Sequence, residues 1–91
     1  MHIEWDPTKA AANFRKHGIR FSDLETAFYD DYGLSMPDPY SSEDRFLLVG
    51  TDAVGRIVTV SYTWRVDCVR VISARRATRS ERKLYEERLR L

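Results

Sequence analysis

Between Arg56 and Arg65 the chain alternates cleanly: Val58, Val60, Tyr62 and Trp64 share one parity, and Thr59, Ser61, Thr63 and Arg65 share the other. A period of two, built from β-branched and aromatic residues, marks a strand with one face on a core and the other in water. Val66-Asp67 then leaves room for a two-residue turn, and Cys68–Ala74 returns as a second strand carrying Val69, Val71 and Ile72. The return runs through Arg75-Arg76 straight into Thr78-Arg79-Ser80-Glu81. That T-x-x-E spacing is a capping box, in which Thr78 and Glu81 each satisfy a free backbone N–H at a helix start. A hairpin that hands the chain to a helix calls for a mixed fold. It also gathers guanidinium groups at a strand–helix junction, where an anion such as phosphate is readily held.

The rest of the chain supplies the partners for this unit. Ile3-Glu4-Trp5 reads as a short edge strand. Asp6 can cap a helix that has Pro7 at its first position, carries Ala10, Ala11 and Phe14 on one face, and stops at Lys16-His17-Gly18. A second, short helix is expected from Ser22-Asp23-Leu24-Glu25, again a capping box, with Leu24, Ala27 and Phe28 as its apolar stripe. Leu34–Tyr40 contains Pro37 and Pro39 and reads as an extended edge or a loop, followed by the polar turn Ser41-Ser42-Glu43-Asp44. Arg45–Thr51 is a further strand, closed by the turn Asp52-Ala53-Val54-Gly55. The last helix, Arg79–Leu91, is expected to bury Leu84, Tyr85 and Leu89. The expected architecture is α+β: two N-terminal helices, an antiparallel meander of three to four strands and a C-terminal helix, in one domain spanning residues 1–91.

A two-residue turn at Val66-Asp67 fixes a register. Arg65 falls opposite Cys68, Thr63 opposite Arg70 and Ser61 opposite Ile72, so Arg65 and Arg70 become diagonal neighbours on the polar face. Trp64 with Val69 and Tyr62 with Val71 form the core-like face. Arg75 has the parity of that apolar face and lies at the strand end. Two close arginines repel unless an anion or a carboxylate sits between them.

Net charge is +1, but residues 1–44 hold 4 Lys/Arg against 9 Asp/Glu, and residues 45–91 hold 11 Lys/Arg against 5 Asp/Glu. An acidic half joined to an arginine-rich half implies either a polyanion-binding side or two faces that neutralise each other within the fold. One cysteine, Cys68, cannot form an internal disulfide, which fits a reducing cytoplasm. No apolar run approaches the length of a membrane span, and Met1-His2-Ile3-Glu4-Trp5 is not a signal peptide. With one Cys and two His at no ligand spacing, neither a metal nor another cofactor is expected.

Several segments together resemble the BrnT family. They are Glu4-Trp5-Asp6-Pro7 with Lys9 and Asn13, Lys16-His17-Gly18-Ile19, Phe21, Glu43-Asp44-Arg45-Phe46, Gly50, and Arg70–Thr78 running into Glu81 and Tyr85. The likeness covers almost the whole chain in order. It implies a RelE-like fold and a ribonuclease toxin of a type II toxin–antitoxin operon that cleaves RNA and arrests translation, at the ribosome or on free RNA. It also implies neutralisation by a BrnA-like antitoxin with a ribbon-helix-helix part, through which alone the complex would reach operator DNA. One departure is plain: many relatives carry a His-Ser pair before the Glu-Asp-Arg segment, and here that place reads Tyr40-Ser41-Ser42.

Metal-free RNA cleavage needs a base for the ribose 2′-OH, an acid for the leaving oxygen and cations for the crowded phosphate. The catalytic candidates are Lys16, His17, Arg65, Arg70, Arg75 and Tyr85; Arg45, Arg76 and Trp5 are RNA-binding candidates. Each has a plainer role open to it. Lys16 and His17 can simply favour a helix C-terminus. The arginines can pair with the acidic half, and Arg45 with Glu43 or Asp44. Tyr85 can be a core contact, and Tyr62 and Trp64, which could stack bases, have the parity of the core. A nucleic-acid binder without catalysis, or a module that only holds an antitoxin, would use the same residues.

Overall fold

A computed structural model of the protein describes residues 1–41 and 44–90. In chain order it contains β1 (His2–Glu4), α1 (Pro7–His17), a 3-10 turn (Phe21–Asp23), α2 (Glu25–Phe28), β2 (Leu34–Pro37), β3 (Phe46–Thr51), β4 (Ile57–Trp64), β5 (Cys68–Arg76) and α3 (Arg79–Leu89). The strands form a five-stranded sheet in the order β1-β5-β4-β3-β2. The fold is α+β, but the expected three-to-four-strand meander is corrected to a mixed sheet. β2 to β5 run antiparallel, and β1 adds parallel to β5 with Ile3 opposite Val69 and Glu4 opposite Arg70.

Of the two readings of Leu34–Tyr40, the extended edge is found over Leu34–Pro37, and Pro37 sits at its end opposite Phe46, where a missing N–H is tolerated. A further correction concerns the N-terminal half. The second N-terminal helix shrinks to one turn. Its capping box does not form; instead the Asp23 carbonyl accepts from the Ala53 N–H at 3.0 Å and its carboxylate lies 3.7 Å from Arg56. The polar turn reaches into Ser42 and Glu43, which lie outside the described residues, as does Leu91.

α1 and α2 cover one face of the sheet. Ile19, Phe21, Leu24 and Ala27 pack there on Val58, Val60, Tyr62, Val69, Val71 and Ala74. The approach is close at Gly50 of β3, where a side chain would begin 3.1 Å from the Ala27 carbonyl oxygen. α1 starts under an Asp6 cap with Pro7 in its first turn and stops at Gly18, whose φ of 71° suits glycine. α3 lies on the other face. Its capping box is complete: Thr78 Oγ1 accepts from the Glu81 N–H and Glu81 Oε1 from the Thr78 N–H. Tyr85 is its one buried residue; Leu84 and Leu89, expected inside, are exposed.

The β4–β5 register holds at Trp64–Val69, Thr63–Arg70 and Tyr62–Val71, and Arg65 donates its N–H to the Cys68 carbonyl at 2.8 Å. It then slips by one residue: Ser61 faces Ser73, leaving Ile72 without a partner. This bulge reverses the parity of everything after it. Ala74 therefore joins Val71 on the helix-covered face, and Arg75 lies on the opposite face with Ser73, which corrects its expected parity.

β1 ends at Glu4, so β5 would show a bare edge beyond Arg70. Asn13 of α1 fills that edge. Its Nδ2 donates to the Ala74 carbonyl at 2.9 Å and its Oδ1 accepts from the Ala74 N–H at 3.1 Å. A buried side-chain amide thus does the work of a strand residue.

Candidate nucleic-acid groove

α3 covers only part of its sheet face. It meets the end of the sheet nearest Thr51 and Thr59 and leaves the rest open. The open part is the floor of a groove of about 510 Å³, formed by Met36, Leu47, Ser61, Ile72, Ser73 and Arg75. One wall is the turn Asp38–Tyr40 with Arg45, and the other is Glu81 at the start of α3. The parities of β2, β3 and β4 put Met36, Leu47 and Ser61 on this face; the bulge at Ile72 adds Ser73 and Arg75.

Arg75 makes a two-pronged pair with Glu81, Nη1–Oε1 at 2.7 Å and Nη2–Oε2 at 3.1 Å. Oε1 also accepts from the Thr59 hydroxyl and the Thr78 N–H, both at 2.8 Å. Arg75 foremost, with these other donors, holds the Glu81 carboxyl down at about 2 against the cost of burial. Glu81 is therefore a carboxylate at any physiological pH and a poor proton acceptor. The same pairing raises the affinity of Arg75 for its proton.

The remaining candidates spread out. Arg70 shares the open face but lies farther along β5, 3.5 Å from the Glu4 carboxylate that β1 brings alongside. Arg65 is exposed in the β4–β5 turn, and Arg76 is exposed at the end of β5 opposite Val58. Lys16 and His17 are exposed in the last turn of α1, on the helix-covered side, and do not line the groove. Trp5 packs edge-on against Phe21 at 6.1 Å on that same side. Tyr85 is buried and turned away from the groove: its hydroxyl donates to Asp30 Oδ2 at 2.5 Å and lies 2.8 Å from Thr51 Oγ1. Burial and the neighbouring Asp30 push the Tyr85 hydroxyl above its ordinary pKa. Burial opposes ionisation of Asp30, but the hydrogen bonds from Tyr85, Tyr32 and Thr51 prevail and hold its carboxyl low.

Of the residues singled out in the sequence, Arg45 and Arg75 line the groove; most of its other lining residues were not among the candidates. Ser61 carried a visible signal in its polar parity; Ser73 did not, because the bulge sets its direction. Met36, Asp38 and Tyr40 belonged to a segment read as an edge or a loop. Among the described residues no three His, Cys, Asp or Glu side chains stand together as a metal would require, and no helix is long and apolar enough to cross a membrane.

A mixed sheet with an arginine-bearing groove beside its C-terminal helix defines the general class, a small α+β protein with one partly open sheet face. Comparison with known proteins narrows it. Residues 5–81 match the family model described as "Ribonuclease toxin, BrnT, of type II toxin-antitoxin system". The chain is similar to the crystal structure of the Brucella abortus ribonuclease toxin BrnT, with a TM-score of 0.71 and 30% identity over 87% of this chain and 99% of that one. A search of the curated proteins gave no match. The chain belongs to the BrnT family of ribonuclease toxins of type II toxin–antitoxin systems.

Proposed function

We propose that this protein, as a single-domain toxin in the cytoplasm, cuts RNA on the open sheet face without a metal ion and so arrests translation. The observation that carries this reading is the groove itself, where Arg45 in one wall and Arg75 on the floor stand with the Ser61 and Ser73 hydroxyls. In the reaction, the ribose 2′-oxygen attacks the adjacent phosphorus and the bond to the 5′-oxygen breaks, leaving a 2′,3′-cyclic phosphate and a 5′-hydroxyl. Guanidinium groups suit the extra charge on the phosphoryl oxygens, and a fixed Arg75 needs little reorganisation to meet it. Arg70, on the same face, extends the contact to a neighbouring phosphate. The incoming phosphate competes with Glu81 for Arg75. Tyr85 acts by anchoring α3, and Lys16, His17, Arg65, Arg76 and Trp5 lie outside the cleaving centre.

An antitoxin with a ribbon-helix-helix part neutralises the toxin by laying a segment over the groove, and operator DNA is contacted through that antitoxin. The test is incubation of purified protein with naked RNA in EDTA. Cleavage that persists, and falls on the order of 10²-fold in Arg75→Ala, is expected. Cleavage abolished by EDTA defeats the metal-free reading. Salt-sensitive RNA retention without products would favour a binder instead. In cells, unpartnered expression should stop growth, and full toxicity of both Arg70→Ala and Arg75→Ala at equal protein level would remove the arginines from the mechanism.

A further inference from the structure

We infer that the groove holds one unpaired nucleotide, its base stacked on Tyr40 and its pairing edge turned to Asp38, and that guanine is preferred there. The inference rests on the ribonuclease reading and adds a substrate preference to it.

Tyr40 is 96% exposed, whereas Phe28, Phe46 and Tyr62 pack ring against ring inside the fold. Its backbone is nevertheless fixed. The Tyr40 N–H donates to Asp38 Oδ1 at 3.0 Å, the Ser41 N–H points to the Asp38 carbonyl at 3.4 Å, and the Asp38 N–H donates to the Arg45 carbonyl at 2.9 Å. A ring with no aromatic partner among the described residues, carried on a hydrogen-bonded turn at a groove wall, is a platform for a base face. Met36 and Leu47 give the floor an apolar part, and about 510 Å³ falls within the ~300–1,000 Å³ of sites that enclose small ligands.

Asp38 sets the preference. One of its oxygens holds the Tyr40 N–H; the other, Oδ2, carries no hydrogen bond among the described residues. A carboxylate there repels phosphate and attracts N–H donors, so it faces a base rather than the backbone. Guanine alone offers two adjacent donors on its pairing edge, N1–H and the N2 amino group, which match a carboxylate in two-pronged fashion, Oδ1 using its second lone pair beside the bond from the Tyr40 N–H. Arg45 in the groove wall and Arg75 on its floor meet the flanking phosphates, which compete with the carboxylate that Arg75 already holds.

The experiment uses the full chain and 2′-O-methyl tetranucleotides, which cannot be cut, identical except for one G, A, C or U. Binding is read by fluorescence anisotropy. The expected result is at least tenfold tighter binding of the G-containing oligomer, loss of about tenfold for every oligomer in Tyr40→Ala, near-retention in Tyr40→Phe, and collapse of the G preference in Asp38→Asn. Equal binding of all four, or undiminished binding by Tyr40→Ala, overturns the inference. Cleavage of long RNA by the wild type at positions unrelated to guanine also overturns it and leaves the ribonuclease reading intact. Absence of both cleavage and binding overturns both.

Discussion

Glu81→Gln is the sharpest probe of the Arg75–Glu81 pair, because Gln keeps the shape, removes the charge and turns the oxygen that accepts from Arg75 Nη2 into a donor. A glutamine oxygen can still accept from the Thr78 N–H, so the capping box of α3 survives. What disappears is the two-pronged charged contact with Arg75. A carboxyl moved from an ordinary 4.5 to about 2 corresponds to about 3 kcal/mol of preference for the ionised form. Arg75 is 39% exposed, however, and solvent screens part of that, leaving about 1–2 kcal/mol as the cost of the substitution at neutral pH. The pH dependence follows from the lowered pKa. The unfolded chain takes up this proton near pH 4.5, whereas the folded protein resists it until about pH 2. The contribution is therefore complete above about pH 5 and fades as the pH falls through that window. Urea denaturation of wild type and variant at pH 7 and pH 3 measures it. The gap between the two proteins should narrow in acid, and comparing them cancels the similar contribution of Asp30. A gap near zero at pH 7, or one that does not change with pH, would falsify the assignment of a stabilising charged pair.

Three other substitutions probe what holds the groove in place, each read by urea denaturation at neutral pH. Asn13→Ala strips both partners from the Ala74 backbone at the bare edge of β5 and should cost about 2–3 kcal/mol; a loss below about 1 would mean that water replaces the amide. Arg56→Ala removes the guanidinium that pairs with the fully buried Asp52 carboxylate at 2.9 Å and should cost about 3 kcal/mol; near-neutrality would mean that the Val54 and Arg56 N–H groups suffice for Asp52. Gly18→Ala puts a side chain on a left-handed residue at the end of α1, for about 1 kcal/mol; no loss would show that the helix end readjusts.

The parts of the fold that the chain declares in advance are those fixed locally. Thr78-x-x-Glu81 is a capping box in sequence and in structure, and a two-residue turn at Val66-Asp67 was enough to place Thr63 opposite Arg70. The parts that escaped are those fixed at a distance. The short edge strand at Ile3-Glu4 was legible, but its three residues gave no sign that it would pair in parallel with β5. Asn13 sits among alanines and a phenylalanine with nothing to mark it as an edge filler until Ala74 is seen beside it. Ser22-x-x-Glu25 has the form of a cap, yet Asp23 is already engaged with Ala53 and Arg56, and the helix starts later.

The bulge at Ile72 joins these two groups, and it decides where the chemistry can be. The segment Val71-Ile72-Ser73-Ala74 contains no glycine or proline, so nothing local announces an extra residue. Without it, Arg75 would share the face of Val69 and Val71 and meet the layer built from Ile19, Phe21 and Leu24. A guanidinium there would have to be buried or splayed off the strand end. With it, the small Ala74 enters that layer and takes the Asn13 amide, and Arg75 meets Glu81 on the open face instead. One unpaired residue therefore reconciles two demands on β5: an apolar face that seals the core as far as Ala74, and a cation delivered to the groove one residue later.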